Sequence, residues 1–437
     1  MSLLHLPNEL ISCISEYLGS TSDINNFAQS NRRLYRLVNS YLYRRNIQRS
    51  ESSALIWAAQ NGQLGTAQRL LEQHTNDEAR KDCCVIPLFE AAGRGHEGVV
   101  RLLLDNGADI HARRDKAGKT AATSLTESPE DQLSPEERQR LALEGVHLDS
   151  PYDDDEWVAT YTGNALYAAA EGGHTNIVKL LLDNGATVDT DMGRNGNAFQ
   201  AAVDGGYEEV VKLLLDGGFD VHTRGRCYMD ELGQFRDSNA LCAAAEKGHT
   251  KLVKLLLEHG MAVNESGGVY GSPLQAAAAK GHEQIVEILL DTKDIDINAP
   301  EFYFFWQDEL VETSPLYLAS EEGHVNVVKL LLDRGADINA RSAHWTTALT
   351  VASVSNQEEV VRLLIERGAD LNVENEFCSG ALEGAAQYGH EEIVELLFEA
   401  GADIEQALEG AEARKGRDPS DYSLQILTEL IAAQSEA

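Results

Sequence analysis

The sequence predicts an all-α chain, a small three-helix bundle followed by a long solenoid of stacked helix pairs. Three observations carry this. First, a Gly-His pair or its relative recurs at positions 62, 95, 173, 206, 248, 281, 323, 356 and 389. The spacings are 33, 78, 33, 42, 33, 42, 33 and 33, so one 33-residue unit repeats with insertions. A period of that size marks helix pairs that bury their apolar faces only by stacking. Second, every unit carries an alanine-rich run, then the glycine slot, then a leucine-rich run. Third, residues 1–50 do not fit the repeat but have a helical period of their own.

In chain order, Leu10, Ile14 and Leu18 recur every four residues and form one face of a first helix, with Pro7 suited to its opening turn. Ser22 or Asp23 can cap a second helix bearing Ile24 and Phe27, and a third carries Leu34, Leu37, Val38 and Tyr41. Three short helices bury too little apolar surface to be secure alone. Leu6 and Pro7 are then surplus for a partner's surface. A basic-polar link, "RRNIQRSES" (44–52), leads into the repeats.

The repeat unit reads clearly in "NALYAAAEGGHTNIVKLLLDNGATVD" (164–189). A short helix over about residues 165–171 ends at glycine, which supplies a left-handed cap. A second helix presents Ile177, Val178, Leu181 and Leu182, a surface too wide for a one-sided helix unless neighbours cover both flanks. Units fall at 51–113 and 162–406. Between them, 114–161 is an insertion expected to be partly disordered, with a helix in "SPEERQRLALEG" (134–145) and an acidic "PYDDDEW" (151–157). Two shorter insertions, "GRCYMDELGQFRDS" (225–238) and "EFYFFWQDELVE" (301–312), also project between units. Residues 407–437 read as a degenerate last unit that caps the stack.

Composition and charge limit the function. Of 437 residues, 43% are hydrophobic and 24% charged, ordinary for a folded soluble protein. Cys13, Cys83, Cys84, Cys227, Cys242 and Cys378 form neither a disulfide framework nor a metal spacing, which points to free thiols in a reducing compartment. The opening "MSLLHLPNELISCI" has no basic leader and no long apolar core, and no stretch reaches the roughly 20 apolar residues of a membrane helix. An intracellular protein, cytoplasmic, nuclear or both, with no membrane partner is expected. The chain carries a net charge of −35; residues 1–50 contribute +3, so the repeats carry −38. That field repels phosphate backbones and favours basic protein surfaces, so nucleic acid is not an expected partner.

Six of the 13 histidines occupy the glycine-histidine slot: His96, His174, His249, His282, His324 and His390. "HEGVV" (96–100), "HEQIV" (282–286) and "HEEIV" (390–394) each hold valine where a zinc-protease motif needs its second imidazole. "AGKT" (117–120) lacks the earlier glycine of a phosphate loop, with Arg113 in its place. These histidines are expected to serve turn and packing. No catalytic residue, metal site or cofactor is expected, and the chain is not expected to be an enzyme.

The repeats closely resemble the ankyrin repeat. "SPLYLASEEGHVNVVKLLLDRGADINA" (314–340) follows most of that family's pattern of threonine-proline-leucine-histidine, two alanines, Gly-His, Ile-Val, a leucine run and Gly-Ala-Asp. The resemblance implies helix pairs joined by β-hairpin loops. The family's first histidine is replaced here by Tyr167, Gln200, Cys242, Gln275, Tyr317, Thr350 or Glu383, so the inter-repeat hydrogen bonds it makes must be replaced. Residues 6–43 resemble the F-box, matched by Leu6, Pro7, Glu9, Leu10, Ile14, Leu18, Asp23, Ile24, Arg32, Leu34 and Val38. The alternative is a helical cap on the repeat stack. The F-box resemblance implies that Leu6, Pro7, Glu9, Leu10, Ile14, Leu18, Leu34 and Val38 bind a Skp-family adaptor, and through it a cullin. The chain would then be the substrate receptor of a cullin–RING ubiquitin ligase. The alternative function is an ankyrin scaffold independent of ubiquitination.

In ankyrin arrays the hairpin tips and the exposed ends of the first helices meet the partner. Two residues before successive slots stand Glu171, Asp204, Glu246, Ala279 and Glu321. The four acids are expected in a line, either as a solvated face or as a cradle for a basic segment of a protein substrate. Phe302, Tyr303, Phe304, Phe305 and Trp306 run consecutively in the last insertion. They either pack on adjacent hairpins or anchor the partner, aromatics being common hot spots.

Overall fold

The computed structural model describes residues 53–72, 84–114, 120–121, 163–187, 196–223, 225–229, 235–298, 301–304, 310–342, 346–374, 380–414 and 422–436. The N-terminal helices expected from Leu6 to Val38 lie outside the described residues, as do the helix expected at 134–145 and nearly all of the 114–161 insertion. The chain divides into two compact units, Met1–Phe219 and Asp220–Ala437.

In the first unit the helices come in pairs: α1 (Ser53–Gln60) with α2 (Leu64–Glu72), α3 (Val85–Gly93) with α4 (Glu97–Asp105), α5 (Ala165–Glu171) with α6 (Thr175–Asp183), and α7 (Ala198–Asp204) with α8 (Glu208–Asp216). Between the second and third pairs, β1 (Arg113–Arg114) runs antiparallel to β2 (Thr120–Ala121). The second unit opens on a hairpin of β3 (Gly225–Met229) and β4 (Phe235–Ser238). The pairs α9 (Ala240–Glu246) with α10 (Thr250–Glu258) and α11 (Pro273–Ala279) with α12 (Glu283–Leu290) follow. A second hairpin, β5 (Glu301–Phe304) and β6 (Leu310–Thr313), precedes α13 (Pro315–Glu321) with α14 (Val325–Asp333), α15 (Ala348–Val354) with α16 (Glu358–Glu366), and α17 (Ala381–Gln387) with α18 (Glu391–Glu399). A final pair, α19 (Ile404–Arg414) and α20 (Ser423–Glu436), closes the unit.

The short first helices form because a polar residue stands at each start. Asn164, Asn197, Asn239, Ser272, Ser314 and Thr347 accept the backbone N–H of the residue three further on. Such a cap typically contributes about 1 kcal/mol. Ser272 and Gln275 complete a reciprocal capping box, with Pro273 pre-set for the first turn. Beyond the cap these helices are buried on every side: in α5 all six residues from Ala165 to Ala170 are. Only small side chains permit that, which is why alanine dominates. The second helices bury a narrower stripe, Ile177, Val178 and Leu181 in α6, with Leu180 and Leu182 half-buried at its flanks.

The two shorter insertions are antiparallel hairpins. Tyr303 lies opposite Val311 and Phe304 opposite Leu310 in one; Gly225 lies opposite Ser238 in the other, with an irregularity between Arg226 and Met229. Aromatic and β-branched residues suit extended backbone better than helix, and "EFYF" (301–304) and "LVET" (310–313) supply them.

Successive repeats are joined at the glycine slot. The ring Nε2 of His324 donates to the Ala279 carbonyl, 3.1 Å away, in the preceding repeat. Gly281, at φ 69°, lies beneath that ring, and a Cβ there would stand 2.6 Å from its Nδ1. The same arrangement joins His96 to Gln60, His174 to Gly93 and His282 to Glu246, and His390 bonds Val354 over Asn356, which takes the glycine's place at φ 58°. Where the histidine is Gln357, its Nε2 donates to the Glu321 carbonyl at 3.0 Å.

Gly281→Ala should therefore destabilise the protein by about 1–3 kcal/mol, from the left-handed backbone together with the displaced ring. His324→Ala removes one hydrogen bond and should lose about 1 kcal/mol. Denaturant unfolding followed by circular dichroism checks both; an alanine at 281 as stable as wild type would contradict the joint.

Candidate protein-binding face

The residues two positions before each slot end the first helices, and their backbones already have a task. The carbonyls of Glu246, Ala279 and Glu321 accept the His282, His324 and Gln357 side chains of the following repeat. Their side chains are left over, and they differ from one another.

In the first unit Glu171 is exposed and accepts the Tyr167 hydroxyl at 3.1 Å, while Asp204 is half-buried. In the second unit the Glu246 side chain is only 15% exposed, and Lys247 stands 3.8 Å from it. Ala279 is buried. Glu321 is half-buried, and burial, with a smaller contribution from the adjacent charge of Glu322, raises its carboxyl to about 7. The slots therefore do not hold equivalent side chains: burial at Glu321 favours the neutral carboxyl.

Sequence reasoning missed the residues around Glu321. Tyr317 and Leu318 of α13, Ala279 of α11 and Val351 of α15 form one buried apolar cluster, and Tyr270 packs against it. Lys280 lies over the Tyr270 ring, 5.1 Å from its centre. Its ammonium is held above its usual range first by a hydrogen bond with Tyr270, then by the charges of Tyr270, Glu246 and Glu322. The signal for this group was the short loop "ESGGVYGS" (265–272), where tyrosine stands alone among small residues.

Three of the positions where the family's first histidine is absent make up for the lost bond in different ways, and one does not. Gln275 donates to both the carbonyl and the hydroxyl of Thr313, at 2.9 and 3.0 Å. Cys242 offers its thiol to the carbonyls of Glu265 and Gly271. Thr350 bonds its own cap, Thr347, at 3.1 Å. Gln200 is fully buried in the first unit with neither amide atom bonded.

The hairpin tips of the second unit carry a ladder that the sequence displays as "DIN", "DIN" and "DLN" (296–298, 337–339, 370–372). Each aspartate folds its own turn by accepting a backbone N–H two residues on, as Asp337 does from Asn339. Each asparagine then accepts the backbone N–H of the next repeat's aspartate: Asn298 from Asp337, Asn339 from Asp370, Asn372 from Asp403. Ion pairs from Arg334 to Asp291 and Arg367 to Asp333, each 2.8 Å, tie the ends of successive second helices.

Of the aromatic run, Phe302, Tyr303 and Phe304 lie on strand β5, while Phe305 and Trp306 lie outside the described residues. Among the described residues no group of three or more His, Cys, Asp or Glu is arranged to hold a metal ion. No described helix is long and apolar enough to cross a membrane.

The family model for ankyrin repeats matches residues 26–114, 140–225, 226–301, 304–375 and 346–407, well over half of the chain. No F-box domain is detected. Similar curated proteins include an ankyrin repeat domain-containing protein 49 of Bos taurus, 42% identical over 72 residues, 16% of this chain and 30% of that protein. The transient receptor potential cation channel subfamily A member 1 homolog of Caenorhabditis elegans is 31% identical over 144 residues, 33% of this chain and 11% of the channel. An ankyrin repeat and KH domain-containing protein of Caenorhabditis briggsae is 32% identical over 160 residues, 36% of this chain and 5% of its length. The chain thus spans well under half of each of these relatives.

The Glu321 carboxyl ties stability to pH. Its folded value lies above its unfolded value of 4.5, so its contribution is fully present below 4.5 and is lost as pH rises through about 7. Glu321→Gln should match wild type near pH 4.5. Its advantage should grow to the order of 2 kcal/mol by pH 8 and then level off. Unfolding midpoints of both proteins at a series of pH values check this; an advantage independent of pH would refute it.

Proposed function

The chain belongs to the ankyrin-repeat family, whose repeats mediate binding of protein partners, and on that premise we propose that it is the substrate receptor of a cullin–RING ubiquitin ligase. The observation that carries the finer part is the run Leu6-Pro7-Asn8-Glu9-Leu10 with Ile14, Leu18, Leu34 and Val38 behind it. It stands ahead of an acidic array from which it differs in charge. In this reading residues 1–50 engage a Skp-family adaptor and the repeats hold a protein substrate near the ubiquitin-conjugating enzyme. The chain catalyses nothing itself. It supplies proximity, raising the effective concentration of one protein beside another. It works in the cytoplasm, the nucleus or both.

The repeats support the receptor half physically. The slot histidines that bond across repeats are spent on holding those repeats together, so they are not available for chemistry. The inner helix ends and the hairpins carry the remaining variety. A net charge of −38 over residues 51–437 draws in a substrate with a basic segment, and the run Phe302–Trp306 offers that substrate an apolar anchor.

Capture of a Skp-family adaptor tests the ligase role. The wild-type chain should retain the adaptor, and Leu6→Ala with Pro7→Ala should lose it, since truncating a buried leucine costs about 2–5 kcal/mol. Equal capture by both proteins, or by neither, would leave the ubiquitin-independent scaffold as the reading. For the substrate, Phe304→Ala with Trp306→Ala should mainly speed dissociation, whereas Glu246→Lys should mainly slow association and weaken its dependence on salt. An aromatic pair that lowers the melting temperature but leaves binding intact would make the run a packing element.

A further inference from the structure

The repeat of α7 and α8 differs from the others in how its buried polar groups are served. Asn197 caps α7, its side-chain oxygen accepting the Gln200 N–H at 2.8 Å. Both side chains are fully buried. Among the described residues, however, neither Nδ2 of Asn197 nor either amide atom of the Gln200 side chain finds a partner. The same two positions are satisfied elsewhere. Asn239, the cap of α9, donates its Nδ2 to the Glu265 carbonyl at 2.8 Å. Gln275 of α11 accepts the Ser272 N–H and donates to Thr313.

Two further bonds are missing from the same repeat. His96 and His174 each bond a carbonyl of the preceding repeat. Tyr207 stands in that slot and its ring fills the space over Gly173, but among the described residues its hydroxyl bonds no carbonyl there. At the far end, Asn106 and Asn184 donate to the carbonyls of Leu102 and Leu180, each at 2.8 Å, and so serve the last turns of α4 and α6. α8 ends on Gly217, which has no side chain to do this. What holds the repeat is apolar. Phe199 is fully buried and stacks on Phe219 with ring centres 4.5 Å apart, and Val210, Val211 and Leu214 are buried in α8. An unbonded buried amide works against that packing, because opening returns it to water.

We propose that α7 and α8 form a local opening element: this repeat unfolds and refolds within the folded chain more often than the α5–α6 repeat before it. Stability in a repeat array is close to a sum of repeat and nearest-neighbour terms, so a deficit in one repeat lowers the free energy of opening that repeat first. In the open form the Asn197 and Gln200 amides meet water, and Phe199 and Phe219 become accessible. The chain thereby carries an apolar surface that is available only part of the time. The inference does not depend on the ligase reading or on the identity of a partner.

Amide hydrogen exchange of the full chain, read by mass spectrometry of its peptides and corrected for intrinsic rates, tests this. Segments from 198–216 should exchange about tenfold faster than those from 165–183. Gln200→Met keeps the size of the side chain and removes the unbonded amide, so exchange across 198–216 should slow about tenfold. Gln275→Met removes an amide that is bonded, so there the same substitution should speed exchange across 273–290 by about the same factor. Tyr207→His supplies a ring nitrogen for the Glu171 carbonyl, 36 residues earlier as Gln60 is from His96, and should also slow exchange across 198–216. Equal protection of 198–216 and 165–183 in the wild type would overturn the inference. So would unchanged or faster exchange in Gln200→Met, the faster case showing that buried water satisfies the amide.

Discussion

A side chain that reaches back across a left-handed residue, glycine at every such bond but the one over Asn356, to a carbonyl of the preceding repeat holds neighbouring helix pairs in register. The carbonyl can only accept, so the ring Nε2 of His96, His174, His282, His324 or His390 must carry the proton that is shared. The accepting carbonyl comes from the last turn of a first helix or from its cap, where helical carbonyls have no partner of their own. The glycine serves twice: its left-handed backbone turns the chain from the first helix into the second, and its missing Cβ makes room for the next ring. Tyr207 fills the same space over Gly173, so at that joint a different ring keeps the fit.

A joint of about 1 kcal/mol cannot hold a repeat alone. It works because it is one of three lines of contact between the same two repeats in the second unit. Beneath it lies the alanine-rich layer, with Ala276, Ala277 and Ala278 buried to the backbone. At the far end lies the Asp–Asn ladder from Asn264 through Asp296, Asn298, Asp337, Asn339, Asp370 and Asn372 to Asp403. Stability in such an array is close to a sum of repeat and nearest-neighbour terms. The replacement of the family's first histidine by glutamine, cysteine or threonine is then a local matter, settled within one interface. Gln275 shows the best of these solutions, giving one amide atom to its own cap and the other to the next repeat. Gln200, buried with its amide unbonded, is the costly one.

Much of the repeat fold was legible because its determinants are periodic. The glycine slot gave the unit length, the alanine and leucine runs gave the two helices, and the first helix over 165–171 was read at its observed bounds. The histidines were read as packing residues, although no pattern along the chain tells which carbonyl, 36 to 81 residues earlier, receives each ring. The insertions were harder. The run beginning at Phe302 looks like an exposed loop when only its hydrophobicity is considered, whereas Glu301–Phe304 is a strand once "LVET" (310–313) is available to pair with it. The acids at the slots were legible as positions and illegible as charges. Glu171, Glu246 and Glu321 share a register, yet Glu171 meets the Tyr167 hydroxyl, Glu246 has Lys247 nearby, and Glu321 is raised by burial and the adjacent Glu322, surroundings that vary from repeat to repeat.

That last contrast explains how a repeat can be both strict and free. At the end of each first helix the backbone and the side chain have separate duties. The carbonyl of residue 246, 279 or 321 must be there to receive the next joint, and any amino acid but one that bends the helix can supply it. The side chain takes no part in the joint, so glutamate, alanine and glutamate can follow one another at 246, 279 and 321 without changing it. Selection for a partner can therefore act on these side chains one at a time. Where it places an acid near other charges, as at Glu246, the fold neutralises it. Where it places one in a half-buried position next to Glu322, as at Glu321, the carboxyl is raised to about 7. A repeat protein that keeps such a group gives up some stability as pH rises through about 7.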